Sequence, residues 1–138
     1  MKSMKKGNRH SFTLIEIMIV VVIIGMLAAL VGPNVLGNMD RAKVSNTQAQ
    51  LVSLKNAVQQ YYFDLSEYPS RLEDLMTNPG KDKWDGPYLE AKSLPKDSWD
   101  SEFVYVCPGE DMPFDIVSYG ADKTSGGTGK NADLSCWK

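Results

Sequence analysis

The chain has 138 residues, 43% of them hydrophobic, and carries 15 basic and 17 acidic side chains. This length suffices for one domain of modest size. Four of the basic residues lie within the first nine positions, so the rest of the chain has 11 basic against 17 acidic residues, a net charge near −6. Such an acidic body argues against a nucleic-acid partner.

The first predicted element is an apolar run from Phe12 to Val31, preceded by a short basic leader. As a helix rising about 1.5 Å per residue, the run would be roughly 30 Å long, which matches the hydrocarbon core of a bilayer. The basic leader predicts that residues 1–11 stay in the cytoplasm and that the chain after the run lies across the membrane. The simplest alternatives are a secretory signal peptide or an uncleaved anchor, but the apolar region of a signal peptide is normally about 7–15 residues long.

Glu16 is the charged residue inside this run. A lone carboxylate in lipid costs at least about 2.5–3.5 kcal/mol, so we expect it to have a functional partner. Cleavage between Ser11 and Phe12 would create a positively charged amine at Phe12, about one helical turn from Glu16. The carboxylate of one copy could then pair with the Phe12 amine of a neighbouring copy, and assembly would satisfy the acid.

The residues around this acid resemble a known family. The sequence Ser-Phe-Thr-Leu-Ile-Glu-Ile-Met-Ile-Val, beginning at Ser11, closely resembles the class III signal of type IV pilins and type II secretion pseudopilins. The resemblance implies that a prepilin peptidase cuts just before Phe12 and that the new amine is N-methylated. Ser11 departs from the glycine that is usual before the cleaved bond in that family.

The helix is predicted to continue beyond the apolar run. Gly32 and Pro33 follow it, and Pro33 lacks a backbone N–H, so we predict a kink or weak point there. Apolar residues then recur at helical spacing, which predicts one helix from about Phe12 to Phe63 with an amphipathic second half. The predicted divisions are a leader (residues 1–11), a transmembrane and assembly half-helix (12–33) and a soluble periplasmic domain (34–138).

The segments after the helix predict a small sheet. Ser70 and Glu73 have the spacing of a capping box, which opens a short helix. β-Branched and aromatic residues at 103–107 and 114–119 predict two antiparallel strands, and residues 132–137 predict a short third strand. A helix followed by strands predicts an α+β fold with the sheet laid on the helix.

Two features of this region leave alternatives open. Trp84 and Tyr88 lie in an aromatic-rich loop. We interpret this loop as a cover for the core, and the alternative is a platform for a sugar. Cys107 and Cys136 are the two cysteines of the chain. In an exported domain they predict a disulfide, and two free thiols are the alternative.

The C-terminal half resembles the major pseudopilins of type II secretion in particular. Asp-Pro-Trp-Gly and Gly-Ala-Asp-Gly are usual in that family, whereas here Ser98 and Asp100 replace Pro and Gly, and Lys123 replaces a Gly. The resemblance implies a type IV pilin-like fold, in which a long N-terminal helix, membrane-spanning in its first half, packs on a small antiparallel β-sheet. The matching residues are those at 94–99, Tyr105, Pro108 and Gly109, those at 115–122, Gly126 and Gly127, Ala132 and Asp133, and Trp137.

The resemblance also implies one structural calcium ion in the glycine-rich loop. Calcium takes six to eight hard oxygen ligands, which carboxylates and backbone carbonyls supply. Lys123 and Lys130 add positive charge to this loop, which would weaken the binding of a cation. The implied ligands are Tyr119 through its carbonyl, Asp122, Asn131 and Asp133.

The function that the resemblance implies is structural. A single-pass protein of the inner membrane, with its C-terminal domain in the periplasm, would assemble into a periplasmic pseudopilus that pushes exported proteins through the outer membrane. The implied partners are further copies of the chain in a helical filament, minor pseudopilins, the prepilin peptidase, and an inner-membrane assembly platform with its ATPase. No nucleic-acid partner is expected.

Two other functions remain open at this stage. One is a type IV pilus subunit, which would act in adhesion, motility or DNA uptake. The other is a membrane-tethered periplasmic binding domain. An enzyme is not expected, because the single histidine, His10, lies in the leader and would be removed with it. The mature chain would then have no histidine for general-base or metal chemistry.

Overall fold

The computed structural model describes residues 11–138, apart from the side chains of residues 32–34. The first ten residues of the predicted leader therefore lie outside the described residues. The chain divides into two compact units, residues up to Asn38 and Met39–Lys138. The elements are helix α1 (Leu14–Leu65), strands β1 (Val104–Val106), β2 (Asp115–Ser118) and β3 (Leu134–Ser135), and two 3₁₀ turns (Leu72–Leu75 and Gly129–Asn131).

Helix α1 has 52 residues and agrees with the predicted helix to within two residues at either end. Its backbone is helical through Gly32 and Pro33, and the weak point predicted there stays a prediction. The helix ends where Ser66 takes a left-handed φ of 58°. A residue in this conformation is a common way to terminate a helix, because it turns the chain away from the helix axis.

In the first unit, the large apolar side chains from Phe12 to Leu36 are all exposed. An 18-residue stretch of α1 is long and apolar enough to cross a membrane, as judged by length and composition. Monomeric soluble proteins rarely expose an apolar surface of this extent. This part of the helix therefore requires lipid or another protein chain around it.

The second unit holds the sheet, whose order is β1-β2-β3 with both pairs antiparallel. Tyr105 lies opposite Ile116, and Ser118 lies opposite Leu134. The predicted antiparallel pair and the short third strand are thus confirmed, although each strand is shorter than the predicted segment. Short strands suit a sheet that has one face against a helix and little length to cover.

The core lies between one face of α1 and the sheet. Burial of each such apolar side chain is worth about 1.5–3 kcal/mol, so this contact dominates the stability of the second unit. The ring of Phe114 also packs at a tilt against the rings of Trp137 and Tyr68, with centroid distances of 5.2 and 5.3 Å. The buried apolar residues are Leu51, Leu54, Ala57, Val58, Tyr61, Leu72, Leu75, Phe114, Ile116 and Cys136.

The segment after α1 differs from its prediction in one respect. The predicted capping box of Ser70 and Glu73 is wrong: the 3₁₀ turn begins at Leu72, and Arg71 precedes it with no side-chain cap. Arg71 instead pairs with Asp74, whose Oδ1 lies 3.1 Å from the Arg71 Nε. Ser70 and Glu73 have the right spacing, but the turn is too short and tight for the reciprocal bonds that a capping box makes.

The aromatic loop packs on the core, as we predicted. The indole Nε1 of Trp84 donates to the carbonyl of Asp74 at 2.9 Å. Its ring meets Tyr88 edge-on at 5.6 Å, and Tyr88 meets the buried Tyr61 at 5.5 Å. The faces and edges of these rings are therefore engaged with one another rather than arrayed as a platform for a sugar.

Within residues 11–138, three residues other than glycine have a positive φ: Ser66, Asp100 and Lys123, at 58°, 63° and 59°. Asp100 and Lys123 are also two of the three positions, with Ser11, at which the sequence analysis noted another residue in place of a glycine usual in the resembled family. The left-handed conformation costs an ordinary L-residue about 1–2 kcal/mol, and aspartate tolerates it better than lysine does. At both positions the backbone therefore has a conformation that suits glycine, although another residue is present.

We predict that Lys123→Gly stabilises the second unit by about 0.5–1 kcal/mol, because relief of the left-handed strain exceeds the added flexibility of the unfolded chain. The midpoint of thermal unfolding of the full chain in detergent, followed by near-UV circular dichroism, should rise by about 2–6 °C.

Thr124→Gly is the matched control for this substitution, because Thr124 is the next residue and is not among those with a positive φ. It should leave the midpoint unchanged or lower it. A midpoint for Lys123→Gly at or below that of the unmodified chain would contradict the argument from backbone strain.

Candidate functional site

The predicted cleavage site lies just ahead of α1. Ser11 and Phe12 are both exposed, with Phe12 at 77%, and neither is helical. The bond between them is therefore in a segment of chain that a peptidase can bind in an extended form. Nothing is folded against this segment among the described residues.

Glu16 takes part in a reciprocal pair of bonds at the start of α1. Its Oε2 accepts a hydrogen bond from the backbone N–H of Thr13 at 3.3 Å. In return, the backbone N–H of Glu16 donates to Thr13 Oγ1 at 3.3 Å. This arrangement is a capping box, in which two free donors of the helix start are satisfied.

The sequence interpretation missed the role of Thr13. The signal was present as Thr-x-x-Glu immediately before an apolar run, which is the spacing that a capping box needs. Glu16 therefore has two possible partners at different stages: the N–H of its own Thr13 in a single chain, and the predicted amine of another copy. The bonds to Thr13 hold the acid within about one helical turn of Phe12.

The glycine-rich loop closes on itself through backbone contacts. The N–H of Ala121 donates to the carbonyl of Lys130 at 2.9 Å. Gly120, at φ +69°, lies so close to the opposite side of the loop that an added Cβ would be 2.6 Å from the Lys130 oxygen. A larger residue than glycine could not occupy this position without opening the loop.

Within this loop, the two predicted acidic ligands bind the loop's own donors. Asp133 accepts from the N–H of Gly126, at 3.0 Å to Oδ1 and 2.9 Å to Oδ2. Asp122 Oδ1 accepts from the N–H of Thr124 at 3.2 Å. Over residues 11–138 there is no group of three or more histidine, cysteine, aspartate or glutamate residues arranged to hold a metal.

The remaining predicted ligands are close in the chain to these acids. Asn131 ends the second 3₁₀ turn, where its N–H donates to the carbonyl of Thr128 at 3.1 Å. Tyr119 follows β2 and is half-buried. The ammonium group of Lys130 pairs with Asp40 of α1 at 3.3 Å, so its charge is partly neutralised by a residue outside the loop.

A buried carboxylate connects this loop to the turn before β1. Asp97 is only 5% exposed and accepts from Ser118 Oγ at 2.6 Å. Ser118 Oγ in turn accepts from the N–H of Gly120 at 3.3 Å. The other oxygen of Asp97 accepts from the N–H groups of Trp99 and Ser101 at 2.9 and 2.8 Å. The sequence interpretation missed Asp97, although an Asp inside a turn is the residue expected to bind nearby backbone N–H groups.

Ser98, which replaces a family proline, makes bonds that proline cannot make. Its N–H donates to Thr47 Oγ1 at 3.1 Å, and its Oγ accepts from the Thr47 hydroxyl at 3.0 Å and from Asn46 Nδ2 at 3.1 Å. Thr47 is completely buried on α1. The turn is thus attached to the helix by polar contacts in this chain.

These structural features agree with comparisons to known proteins. Residues 6–32 match the family model for the prokaryotic N-terminal methylation motif, and residues 34–137 match that for type II secretion system (T2SS), protein G. The chain belongs to the type II secretion system protein G family. The two matches meet close to the end of the exposed apolar part of α1.

Relatives within the protein G family cover almost the whole chain. The type II secretion system core protein G of Vibrio cholerae serotype O1 is 40% identical over 99% of this chain and 96% of that protein. The protein of the same name from Pseudomonas aeruginosa is 41% identical over 97% and 99% of the two chains. The crystal structure of the major pseudopilin from the type 2 secretion system of enterohaemorrhagic Escherichia coli matches with a TM-score of 0.57 at 27% identity, over 78% of this chain and 96% of that one.

The cysteines of this protein G family member are free, which corrects the predicted disulfide. Cys107 follows β1 and Cys136 follows β3, and β2 lies between those strands. Two strand spacings amount to about 9–10 Å. A disulfide needs Cα atoms within about 7 Å. The sequence could not reveal this, because the strand order decides it.

The two thiols have different environments. Cys107 is exposed, whereas Cys136 is 2% exposed and belongs to the core. Burial raises the pKa of the Cys136 thiol to about 11, with the nearby Asp115 carboxylate adding to the shift. Because the thiolate is the reactive form, Cys136 is protonated and unreactive at neutral pH.

We predict that the full chain, purified without reductant, shows one reactive thiol towards a disulfide reagent at pH 8 and a second only after denaturation. Cys107→Ser should abolish the fast reaction and keep the slow one, because Cys136 is both buried and protonated at that pH. Absence of any thiol in denaturant would mean that the cysteines are paired after all.

Proposed function

We propose that this chain is a structural subunit of a periplasmic pseudopilus, assembled from the inner membrane to push exported proteins through the outer membrane. The observation that carries the proposal is the helix α1, whose large apolar side chains are exposed in the first unit, and which supplies one face of the core in the second. An exposed apolar helix is stable when it is surrounded by lipid, and also when it packs against other apolar helices.

The proposed topology is a single pass of the inner membrane, with the folded unit in the periplasm. The positive charges of the leader lie on one side of the apolar run, and that bias favours a cytoplasmic N-terminus. The folded unit is acidic and contains no further segment of comparable length and polarity among the described residues.

The proposed maturation step is cleavage between Ser11 and Phe12, followed by N-methylation of Phe12. The match of residues 6–32 to the N-terminal methylation motif supports it. The amine of Phe12 in one copy would pair with Glu16 of a neighbour. Such pairing requires a peptidase and, for growth of the filament, an inner-membrane platform with an ATPase, together with minor pseudopilins as further subunits.

The protein G match favours this proposal over its alternatives. It extends over residues 34–137, so the likeness is not confined to the N-terminal signal that pilins of all kinds share. An adhesive or motility pilin would share the signal alone, and a simple tether would not need an acid within its span. The proposed role is structural, which the match to the protein G family supports.

We predict that Glu16→Gln inserts into the membrane normally but reduces the sedimentable filament roughly tenfold or more, since an uncharged amide cannot form the ion pair with a neighbouring amine. Glutamine retains an oxygen that can accept from the Thr13 N–H, so the cap is preserved. The measurement is the fraction of the full chain in sheared filaments, alongside its amount in the membrane.

Thr13→Ala is the matched control, because it removes half of the capping box and leaves the charge of Glu16. It should assemble close to normally. Loss of filaments in Thr13→Ala, with normal assembly of Glu16→Gln, would show that the cap and not the charge is what matters. N-terminal sequencing of the mature chain should begin at Phe12.

We also propose that the glycine-rich loop holds one calcium ion. Asp122 and Asp133 would supply carboxylates, and Asn131 with the Tyr119 carbonyl would supply neutral oxygens. All of these are hard donors of the type that calcium prefers, which is the chemistry that supports the proposal. The pairing of Lys130 with Asp40 partly neutralises one of the two opposing charges. A bound ion would stabilise this loop in its closed form.

We predict that calcium at about 100 times its dissociation constant stabilises the full chain by about 2.7 kcal/mol relative to the same chain in chelator. The midpoint of thermal unfolding should rise by several degrees. Asp122→Ala should remove the shift, whereas Asp111→Ala, in an exposed loop outside the site, should keep it. Equal midpoints with calcium and with chelator would rule out the site.

A further inference from the structure

Strand β1 forms one edge of the sheet, and its outer side has no backbone partner. The order β1-β2-β3 leaves β1 paired with β2 alone. Lys96 forms an isolated antiparallel bridge with Glu102, just before the strand begins. Among residues 11–138, the backbone of residues 103–106 makes no hydrogen bond to any other backbone segment outside the β1–β2 pairing. The N–H and C=O groups on this side of β1 are therefore available to another extended segment.

A cavity of about 590 Å³ lies beside this edge, within the range of about 300–1,000 Å³ that is usual for ligand pockets. Phe103 and Tyr105 line it together, because residues two apart in a strand project to the same face. Leu54 of α1 and the segment 93–96 supply further apolar wall. Hydroxyl groups come from Ser70, Thr77 and Ser93.

The charged residues that line the cavity are unequally paired. The two basic ones, Arg71 and Lys96, each lie close to a carboxylate of this chain, with N–O distances of 3.1 and 3.3 Å. The two acids, Glu73 and Glu102, are exposed and form no ion pair within residues 11–138. The charge that is left unpaired at the cavity is therefore negative, and a basic partner complements it.

We propose that the outer edge of β1 and this cavity bind an extended peptide segment of another protein. The segment pairs with β1 as a fourth strand and places an apolar side chain in the cavity. A lysine or arginine of the segment lies towards Glu73 and Glu102. In this mode of recognition, backbone pairing supplies the affinity, and the side-chain pocket with its flanking charges supplies the specificity.

The features of the site favour such a peptide over other ligands. Nucleic acids and anionic lipid headgroups carry phosphates, which the two unpaired carboxylates repel. A small organic amine suits the cavity and its charge but leaves the backbone groups of the β1 edge unused. The chain beyond Arg9 has 11 basic and 17 acidic residues, so its overall field also attracts a basic segment.

The complex is weak and short-lived, because strand β1 has only three residues. Such an edge allows few backbone hydrogen bonds, and a single short segment buries less than the roughly 800 Å² per partner of a stable interface. The identity of the partner rests on the proposed function. Among the proteins that a pseudopilus would meet, an exported protein with an exposed basic and apolar strand has the required chemistry.

The test measures binding of a fluorescein-labelled peptide, Lys-Val-Leu-Val-Lys, to the full chain in non-ionic detergent. The readout is fluorescence anisotropy, with empty micelles as the blank. In an extended peptide of this sequence, the leucine and both lysines share one face. The peptide Glu-Val-Leu-Val-Glu keeps the apolar residues and should bind at least about tenfold more weakly, because its charges repel Glu73 and Glu102.

A double variant tests the two acids directly. Glu73→Gln with Glu102→Gln should weaken binding of the basic peptide by about three- to tenfold, since it removes charge and keeps side-chain shape. Glu110→Gln with Asp111→Asn is the matched control, because it removes two exposed carboxylates that do not line the cavity. Distant exposed charges are screened by salt, so this control should change the affinity by less than about twofold.

Hydrogen exchange distinguishes strand addition from contact with the cavity alone. A saturating amount of the basic peptide should slow exchange of the backbone amides at 103–106, because the outer N–H groups gain partners. The amides at 134–135, on the opposite edge of the sheet, should exchange as before.

Three results would each overturn the site: equal affinity for the basic and acidic peptides, unchanged affinity of the Glu73 and Glu102 double variant, or unchanged exchange at 103–106. Slower exchange at 103–106 that rises with the concentration of the chain, in the absence of peptide, would identify a second copy as the occupant and would overturn it as well.

These measurements use unassembled chains, so they separate this inference from the proposed function. Normal filaments from a chain that binds no peptide would overturn the site and leave the pseudopilus proposal intact. Peptide binding by a chain that forms no filament would support the site and contradict the pseudopilus proposal.

Discussion

The structure depends on burial of one side of a single helix. Leu51, Leu54 and Val58 are completely buried against a sheet that has Ile116 at its centre. Each strand has at most four residues, and such a small sheet would not be stable without the helix. The same helix α1 also contains the exposed apolar segment.

The opposite side of the same helix has a different composition for a physical reason. A helix that packs only against its own domain has one apolar side, and its outer side normally carries charged or polar residues. Here the outer side is uncharged over residues 44–63 apart from Lys55, which contacts Trp137. The proposed assembly of copies would cover such a side, whereas a monomeric domain in water gives no reason for it to lack charge.

Hydrogen bonds between polar groups attach the loops to helix α1 and to the sheet. Asp97 connects the turn before β1 to Ser118, and Ser118 connects to Gly120 at the start of the glycine-rich loop. Ser98 connects the same turn to Thr47 on α1. A carboxylate that is nearly inaccessible to water is stabilised by several such donors and leaves little freedom to the backbone around it. The loop that is proposed to bind calcium thus begins at a position determined by buried hydrogen bonds rather than by the ion.

The sequence by itself determined the apolar segment with its single acid, the long helix, the order of helix and strands, and the candidate acids of the loop. These features depend on local periodicity and composition, which can be recognised in the sequence itself. The tertiary structure decided what depends on neighbours distant in the chain. The strand order separates Cys107 from Cys136. The 3₁₀ turn begins at Leu72, so Arg71 and not Ser70 is the residue that precedes it. The backbone at Asp100 and Lys123 is left-handed although neither residue is glycine. Strand pairing joins residues distant in the chain and sets the first of these features. The other two lie in short turns, whose backbone conformation a residue pattern alone does not determine.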